Sequence, residues 1–324
     1  MKTTPPRILC VLKILERYSD EAHPISVSEL IHRLQADYDI DAHRATLYND
    51  IELLNQFGID IICTRSTQNR YFIGNRTFEI PQIRLLIDAI TSSKCLTVKK
   101  SDELIDKLLT LVSEPQAALL RAHPSASAIV KPKNERIYYI IDVINRAIEQ
   151  QRVIRFAYTA YAPTLEQVLR GDGEIYTLSP YACIWNGDYY YCIGWSDKRQ
   201  SVTVFRVDRI AGIPEIGEEP AAPPPSDFDL ATYTKGVFQM YVGEPTTVTL
   251  LCDNAVLNSV IDKFSENIET EIHDDDHVIV KTSVSLSPPF FAWVFEFGGR
   301  IRILGPDPAI DAFKALIEQA QKTL

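Results

Sequence analysis

Residues 188–210 read DYYYCIGWSDKRQSVTVFRVDRI, a pattern that predicts two β-strands joined by a polar turn. Side chains of the second strand alternate between two faces, and one face carries Val202, Val204, Arg206 and Asp208. An arginine brought toward an apolar surface must be paired or hydrogen-bonded, because leaving it alone costs several kcal/mol. Either Asp208 balances Arg206 and Arg209 within the protein, or these two arginines are held there to meet an anion.

The composition, 46% hydrophobic and 23% charged over 324 residues, is typical of a globular protein with two or three domains. The N-terminus has no run long enough for a signal peptide, and no stretch approaches a membrane span, so we expect a cytoplasmic protein without a membrane partner. The six cysteines form no Cys-x-x-Cys pair, which predicts reduced, buried thiols. A net charge of −10 argues against a uniformly basic surface but allows a local basic face that binds DNA.

The N-terminal domain, residues 1–76, is predicted as three helices followed by a β-hairpin, the layout of a winged helix-turn-helix. SVSE at 26–29 is a capping box that opens the second helix, and Asp41 can cap a third helix that ends at Gly58. Two β-rich runs, IDIICTR and RYFIG, supply the hairpin. Residues 82–121 are predicted to continue as helix, within a helical linker over 77–135.

The third helix is the predicted DNA reader, because a recognition helix presents the side chains near its N-terminus to base edges in the major groove. Arginine suits guanine and asparagine suits adenine, whereas threonine and tyrosine reach phosphates. We therefore expect six residues of this helix and the wing to contact double-stranded DNA: Arg44, Thr46, Tyr48, Asn49, Arg70 and Tyr71. The alternative is a solvated helix in some other three-helix module.

The rest of the chain is predicted as two β-rich domains separated by a proline-rich segment. An amphipathic helix followed by four or five short strands indicates a small barrel over 136–214. PEIGEEPAAPPPSDFD then marks a boundary, which gives a linker over 215–245. The order β-α-β-β-α-β in 246–324 is the ferredoxin-like pattern, so the fold class is α+β with several domains.

Three stretches of the sequence resemble known regulator families. HRATLYNDIELLNQFG is similar to the recognition helix of DeoR/YafY-type regulators, usually close to RRTIYRDI, although Ala45 and Asn49 replace two arginines. YTLSPYACIWNGDYYYCIGWSDKRQSVTVFRVDRI resembles the WYL domain, with Tyr190, Tyr191 and Cys192 in place of the Trp-Tyr-Leu triplet and FRVDRI matching its other signature. The C-terminal third resembles the WCX extension of such proteins.

This resemblance implies that the barrel is Sm/SH3-like and senses a ligand through an arginine-containing pocket that accepts nucleic acid or nucleotide-like anions. The implied effector site consists of Tyr158, Tyr181, Tyr191, Arg206 and Arg209. The residue types agree, because guanidinium groups grip phosphate and tyrosine rings stack on bases. The alternative is an internal network in which Asp208 neutralises both arginines.

We expect a homodimeric, ligand-responsive transcription regulator that binds a partly palindromic operator and an anionic effector such as single-stranded nucleic acid or a nucleotide. Two other classes remain open. One is an accessory nucleic-acid-binding protein without sequence-specific operator binding, and the other is an enzyme acting on a nucleotide in the barrel. No catalytic motif occurs and no cofactor is predicted, and HDDDH at 273–277 is more typical of a solvated turn than of a metal site.

Overall fold

The computed structural model describes residues 5–65, 68–122, 131, 134–226, 228–230, 245–265 and 268–323. The chain divides into two compact units, Met1–Glu135 and Arg136–Leu324. Both units mix helices with antiparallel sheets. Within the described ranges, no helix is both long enough and apolar enough to cross a membrane.

The first unit begins with helices that pack over a small antiparallel sheet. In chain order its elements are α1 (Arg7–Tyr18), β1 (Ile25–Ser26), α2 (Val27–Tyr38), α3 (Arg44–Gln56), β2 (Ile61–Arg65) and β3 (Asn69–Ile73). The strand order is β1-β3-β2. The apolar sides of the three helices meet in one core, in which Leu15, Leu30 and Leu47 are fully buried.

The ends of α2 and α3 test the predicted helix signals. Ser26 caps α2 as predicted: its Oγ accepts the Glu29 N–H at 3.2 Å, and the Glu29 carboxylate accepts the Ser26 N–H at 2.7 Å. Gly58 follows α3 with a φ of +97°, which confirms the predicted stop. The predicted cap at Asp41 is wrong. Helix α3 begins at Arg44, and His43 precedes it without a side-chain cap, so Asp41 lies too far from the first turn.

A buried ion pair joins α3 to α1. Asp50 is 3% exposed, and two N–H groups of Arg7 donate to its carboxylate oxygens at 2.7 and 3.1 Å. This hydrogen bonding raises the pKa of Arg7. Because a bidentate pair fixes orientation as well as distance, it sets which face of α3 is turned away from the core.

The helical segment that follows is made of three helices: α4 (Ile80–Ser92), α5 (Val98–Leu109) and α6 (Glu114–Arg121). The segment predicted to continue as helix over 82–121 is thus helical in large part, but it is divided into three helices. Thr97 and Ser113 interrupt it, because their side-chain oxygens accept the backbone N–H groups of Lys100 and Gln116 and start new helices. Residues 123–130 and 132–133 of the predicted linker lie outside the described residues.

Asp20 ties this helical segment to α1. The Ser113 hydroxyl at the start of α6 donates to the Asp20 carboxylate, which also accepts the N–H groups of Ala22 and His23 at 3.0 and 2.9 Å. Burial of Asp20 acts to raise its pKa, but the hydrogen bonds from Ser113 and His23 outweigh burial and hold the pKa below its usual range. The ionised carboxylate is thus part of the packing between α1 and α6.

We expect the α1–α6 contact to weaken in acid. A depressed pKa means that the stabilisation is present above the unfolded pKa of about 4 and is lost as the pH falls through the folded value. Ser113→Ala should remove about 1–2 kcal/mol of protection in α1 and α6 at neutral pH, measured by hydrogen-exchange mass spectrometry. Thr97→Ala is the matched control, since it removes a helix cap without touching Asp20. Equal loss of α1 protection in the two variants would contradict this assignment.

The second unit opens with α7 (Ile137–Glu149) and a six-stranded antiparallel sheet. The strands are β4 (Arg152–Tyr161), β5 (Gln167–Leu169), β6 (Ile175–Asn186), β7 (Tyr189–Ser196), β8 (Ser201–Arg206) and β9 (Ile210–Pro220). Their order is β5-β4-β6-β7-β8, and β9 pairs with β4. Strand β9 extends six residues into the segment predicted as a linker, because Glu215 and Ile216 pair with β4 despite their proline-rich surroundings.

The unit ends with β10 (Pro245–Asp253), α8 (Leu257–Phe264), β11 (Glu269–Ile272), β12 (His277–Ser285), α9 (Pro288–Glu296), β13 (Ile301–Gly305) and α10 (Asp307–Gln321). This is the predicted order of strands and helices. The sheet runs β11-β12-β10-β13 with antiparallel pairing throughout, and Phe290 and Val294 of α9 are buried against it. The HDDDH stretch forms the turn between β11 and β12.

Candidate effector site and DNA interface

The stretch 188–210 forms β7 and β8, whose ladder places Tyr191 directly opposite Arg206. Thr203 and Phe205 are buried on one face of β8, and Val204 and Arg206 are half-buried on the other. A single 3₁₀ turn over Val207–Arg209 follows, so the alternation stops at Arg206. The prediction that Asp208 continues the same strand face is therefore wrong, because the turn brings its carboxylate back to the arginine.

Arg206 is held by two internal partners. Its Nε and Nη2 donate to the two carboxylate oxygens of Asp208 at 3.1 and 2.8 Å, and its guanidinium carbon lies 3.4 Å from the centre of the Tyr189 ring. Burial acts to lower the pKa of Arg206, but hydrogen bonding to Asp208 outweighs burial and raises the pKa above its ordinary value. The internal pairing left open by the sequence is thus present at this arginine.

Arg209 differs from Arg206 although only three residues separate them. Its backbone carbonyl accepts the Thr159 hydroxyl at 2.9 Å, which fixes the end of the turn against β4. Within the described part of the chain, its guanidinium makes no hydrogen bond or ion pair. The half-exposed guanidinium of Arg209 can therefore donate hydrogen bonds to a bound anion.

Tyr158 supports the turn from the buried side of the sheet. It is 7% exposed, and its hydroxyl accepts the backbone N–H of Arg206 at 3.0 Å. Its ring packs edge-on against Phe205, with centroids 5.1 Å apart. Burial raises the pKa of Tyr158, although the charges of Arg209 and Arg206 oppose the rise. Tyr158 thus positions the arginines as a neutral phenol and presents no open ring face.

Tyr191 is also largely enclosed. It is 8% exposed and belongs to a cluster with Ile193, against which Phe228 and Leu230 pack from the segment after β9. Burial raises the pKa of Tyr191, and the Arg206 charge opposes the rise. The proline-rich stretch therefore covers part of this face of the sheet, a role that its composition did not indicate.

The structure does not bring Tyr181 to the arginines. Its hydroxyl donates to the Pro223 carbonyl at 2.9 Å, and its ring lies 5.5 Å from that of Phe228. Tyr181 therefore anchors the segment after β9. The other four predicted effector residues gather at the Val207–Arg209 turn. Tyr189 was missed, although alternation in DYYYC places it on the same face as Tyr191.

The candidate DNA interface is the exposed start of α3. Arg44, Tyr48 and Asn49 are exposed, and Thr46 is half-buried. The Arg44 Nη2 donates to the Ser28 hydroxyl of α2 at 3.1 Å, which orients the arginine along the helix surface. Leu47, Ile51 and Leu54 turn toward the core, and these four side chains occupy parts of the α3 surface that the buried residues leave free, as the sequence predicted.

The two predicted wing residues have different surroundings. Arg70 is exposed, and its Nη1 donates to the Pro24 carbonyl at 3.1 Å. Tyr71 is 6% exposed within the core, and burial raises its pKa to about 12. The prediction that Tyr71 contacts DNA directly does not fit this burial. Its ring instead packs beside that of Tyr48, at a centroid distance of 6.5 Å.

Comparison with protein families bears on the second unit. Residues 139–214 match the WYL domain, and residues 244–321 match the WCX domain. The chain contains a WYL domain followed by a WCX domain. The WYL match extends from α7 into β9 and includes all five predicted effector residues. The WCX match includes β10 through α10.

Among solved structures, the chain is similar to proteasome accessory factor B/C (PafBC) of Arthrobacter aurescens. The two are 17% identical with a TM-score of 0.29, and the match covers 95% of this chain and 45% of that one. This chain therefore spans less than half of that protein's length. No curated protein matches the sequence.

Tyr158→Phe should destabilise the WYL domain. The substitution keeps the ring but leaves the partly buried Arg206 N–H without its acceptor, which should lower the free energy of unfolding by about 1–2 kcal/mol. Urea unfolding followed by tryptophan fluorescence measures this, since Trp185 and Trp195 lie in β6 and β7. Tyr161→Phe is the control, because that side chain is exposed. An unchanged urea midpoint for Tyr158→Phe would show that the hydrogen bond from the Arg206 N–H to the Tyr158 hydroxyl does not stabilise the domain.

Proposed function

We propose that this protein is a DNA-binding transcription regulator whose WYL domain binds an anionic effector of nucleic-acid or nucleotide type. In this proposal the first unit contains a winged helix-turn-helix, the WYL barrel is Sm/SH3-like and the WCX domain is ferredoxin-like. The observation that carries the DNA-binding part is the exposed row of Arg44, Tyr48 and Asn49 on a helix whose rotation is fixed by Arg7 and Asp50.

DNA recognition would use α3 in the major groove. Arg44 can donate two hydrogen bonds to guanine, and Asn49 can pair with the adenine edge. Arg70 of the hairpin would reach a phosphate, which positions the domain without reading sequence. As a homodimer, the protein would place two such helices in successive major grooves, about 34–36 Å apart.

The DNA proposal is tested by fluorescence anisotropy with labelled DNA from upstream of the gene. Arg44→Ala combined with Asn49→Ala should weaken binding at least about tenfold, because each base contact contributes about 1–3 kcal/mol of discrimination. Arg84→Ala is the charge control, since Arg84 is exposed on α4, outside the proposed interface. Equal, salt-insensitive binding by wild type and double variant would refute the interface. A selection from random DNA that yields no preferred sequence would favour the accessory nucleic-acid-binding role.

Effector binding would centre on Arg209. Its guanidinium can donate two hydrogen bonds to a phosphate or carboxylate, and Arg206 neutralises the Asp208 carboxylate, which would otherwise repel an anion there. Tyr158 and Thr159 hold the backbone of the turn, so the two arginines are positioned before the ligand arrives. For the effector to regulate, it must bind one conformation of the protein better than another.

Calorimetry with short oligonucleotides and with mononucleotides tests the effector site. Arg209→Ala should remove the binding that belongs to the Val207–Arg209 turn without lowering the thermal midpoint, because that guanidinium has no internal partner among the described residues. Arg206→Ala should weaken binding and also destabilise the domain, because it leaves Asp208 without its arginine. Arg146→Ala on α7 is the control for net charge. If Arg206→Ala and Arg209→Ala both bind these ligands with wild-type affinity, the effector site does not lie at the Val207–Arg209 turn.

A further inference from the structure

A second cationic cleft lies on the WYL barrel, apart from the Val207–Arg209 turn. The turn that precedes β6 and the turn between β7 and β8 enclose a cavity of about 370 Å³. The side chains that matter for its chemistry are Arg170, Glu174, Tyr176, Asp197, Lys198 and Arg199. A cavity of this volume is in the range of small-ligand pockets.

The two carboxylates of the cleft already have partners. Lys198 forms an ion pair with Glu174 that links the two turns. The Oδ1 of Asp197 accepts the indole N–H of Trp195 at 2.9 Å, which holds that carboxylate beside its own strand. The lysine and Glu174 therefore largely cancel each other, and they fix the width of the cleft.

The two arginines of the cleft, unlike its lysine, are not engaged by a carboxylate among the described residues. Within the described ranges, the guanidinium groups of Arg170 and Arg199 make no hydrogen bond or ion pair. Arg170 precedes Gly171 and Asp172, whose φ values of +62° and +53° form the tight turn that presents it. Arg199 lies with its guanidinium carbon 5.9 Å from the Phe205 ring centre, at the outer limit of a cation–π contact.

Tyr176 supplies the aromatic wall. Its ring stacks on Phe156 with centroids 5.9 Å apart and packs edge-on against Phe205 at 5.4 Å, so its orientation is fixed from behind. It is half-buried, which leaves part of the ring facing the cleft. Two guanidinium forks beside a fixed tyrosine ring are the groups that recognise a phosphate next to a base.

We propose that this cleft binds the phosphate of a nucleotide, either free or within a single strand, through Arg170 and Arg199, with the base against Tyr176. The ligand class is shared with the effector site proposed above, but the cleft is a separate site that uses none of the same side chains. Its binding does not depend on the protein being a transcription regulator.

Calorimetry on the full chain tests this assignment with ADP, adenosine and a hexathymidylate strand as probes. ADP should bind and adenosine should not, because only ADP brings a phosphate. With the other site removed by Arg209→Ala, the additional changes Arg170→Ala and Arg199→Ala should reduce ADP affinity at least about tenfold, since each lost charged hydrogen bond has an effect of that order. Both side chains are exposed, so the thermal midpoint should not change. Binding of the hexathymidylate in place of ADP, lost in the same variant, would identify the strand as the source.

Two further variants separate this cleft from the effector site. Glu174→Gln should tighten ADP binding two- to fivefold, because it removes a negative charge and releases Lys198. Arg209→Ala should leave binding at the cleft intact while it removes binding at the Val207–Arg209 turn. If Arg170→Ala with Arg199→Ala binds ADP and hexathymidylate with wild-type affinity, the cleft proposal is overturned whatever happens at Arg209. Loss of operator binding in Arg44→Ala bears on the regulator proposal alone.

Discussion

The bidentate pair between Arg206 and Asp208 is the interaction on which the organisation of the WYL site depends. A guanidinium at the edge of an apolar strand requires compensation, and the turn after β8 supplies a carboxylate two residues later. The Tyr189 ring below and the Tyr158 hydroxyl on the backbone complete the arrangement. Because Asp208 is committed to Arg206, it leaves Arg209 at the far side of the same turn with its charge available.

The same distinction, between cationic side chains that form an internal ion pair and those that do not, applies elsewhere in the molecule. Arg7 is committed to Asp50, and Lys198 to Glu174, and each pair fixes one element against another. Arg209, Arg170 and Arg199 have no such partner among the described residues. The chain has a net charge of −10, so anion binding at these three arginines depends on the local electrostatic potential and not on the net charge.

The sequence predicted what local chemistry determines and missed what distant packing determines. The capping box at Ser26 and the stop at Gly58 are local signals, and both are confirmed. The helical character of 82–121 was also predicted, but its division into three helices was not, because the caps at Thr97 and Ser113 were not recognised. At the site, the sequence left open whether Asp208 neutralises the arginines or the arginines meet an anion. The structure pairs Asp208 with Arg206. The burial of Tyr71 and the cover over Tyr191 depend on partners far along the chain, which no short motif specifies.

The cover over Tyr191 has a consequence for how the barrel can recognise a base. With Phe228 and Leu230 packed on that face, the Tyr191 ring is not open for stacking, and the Tyr189 ring already lies under Arg206. A ligand at Arg209 is then recognised mainly through its charge. Tyr176, by contrast, is half-buried and lines the cleft of Arg170 and Arg199. Under the two proposals, charge recognition and base recognition use different places on the WYL domain, and the buried Phe205 ring contacts both Tyr158 and Tyr176.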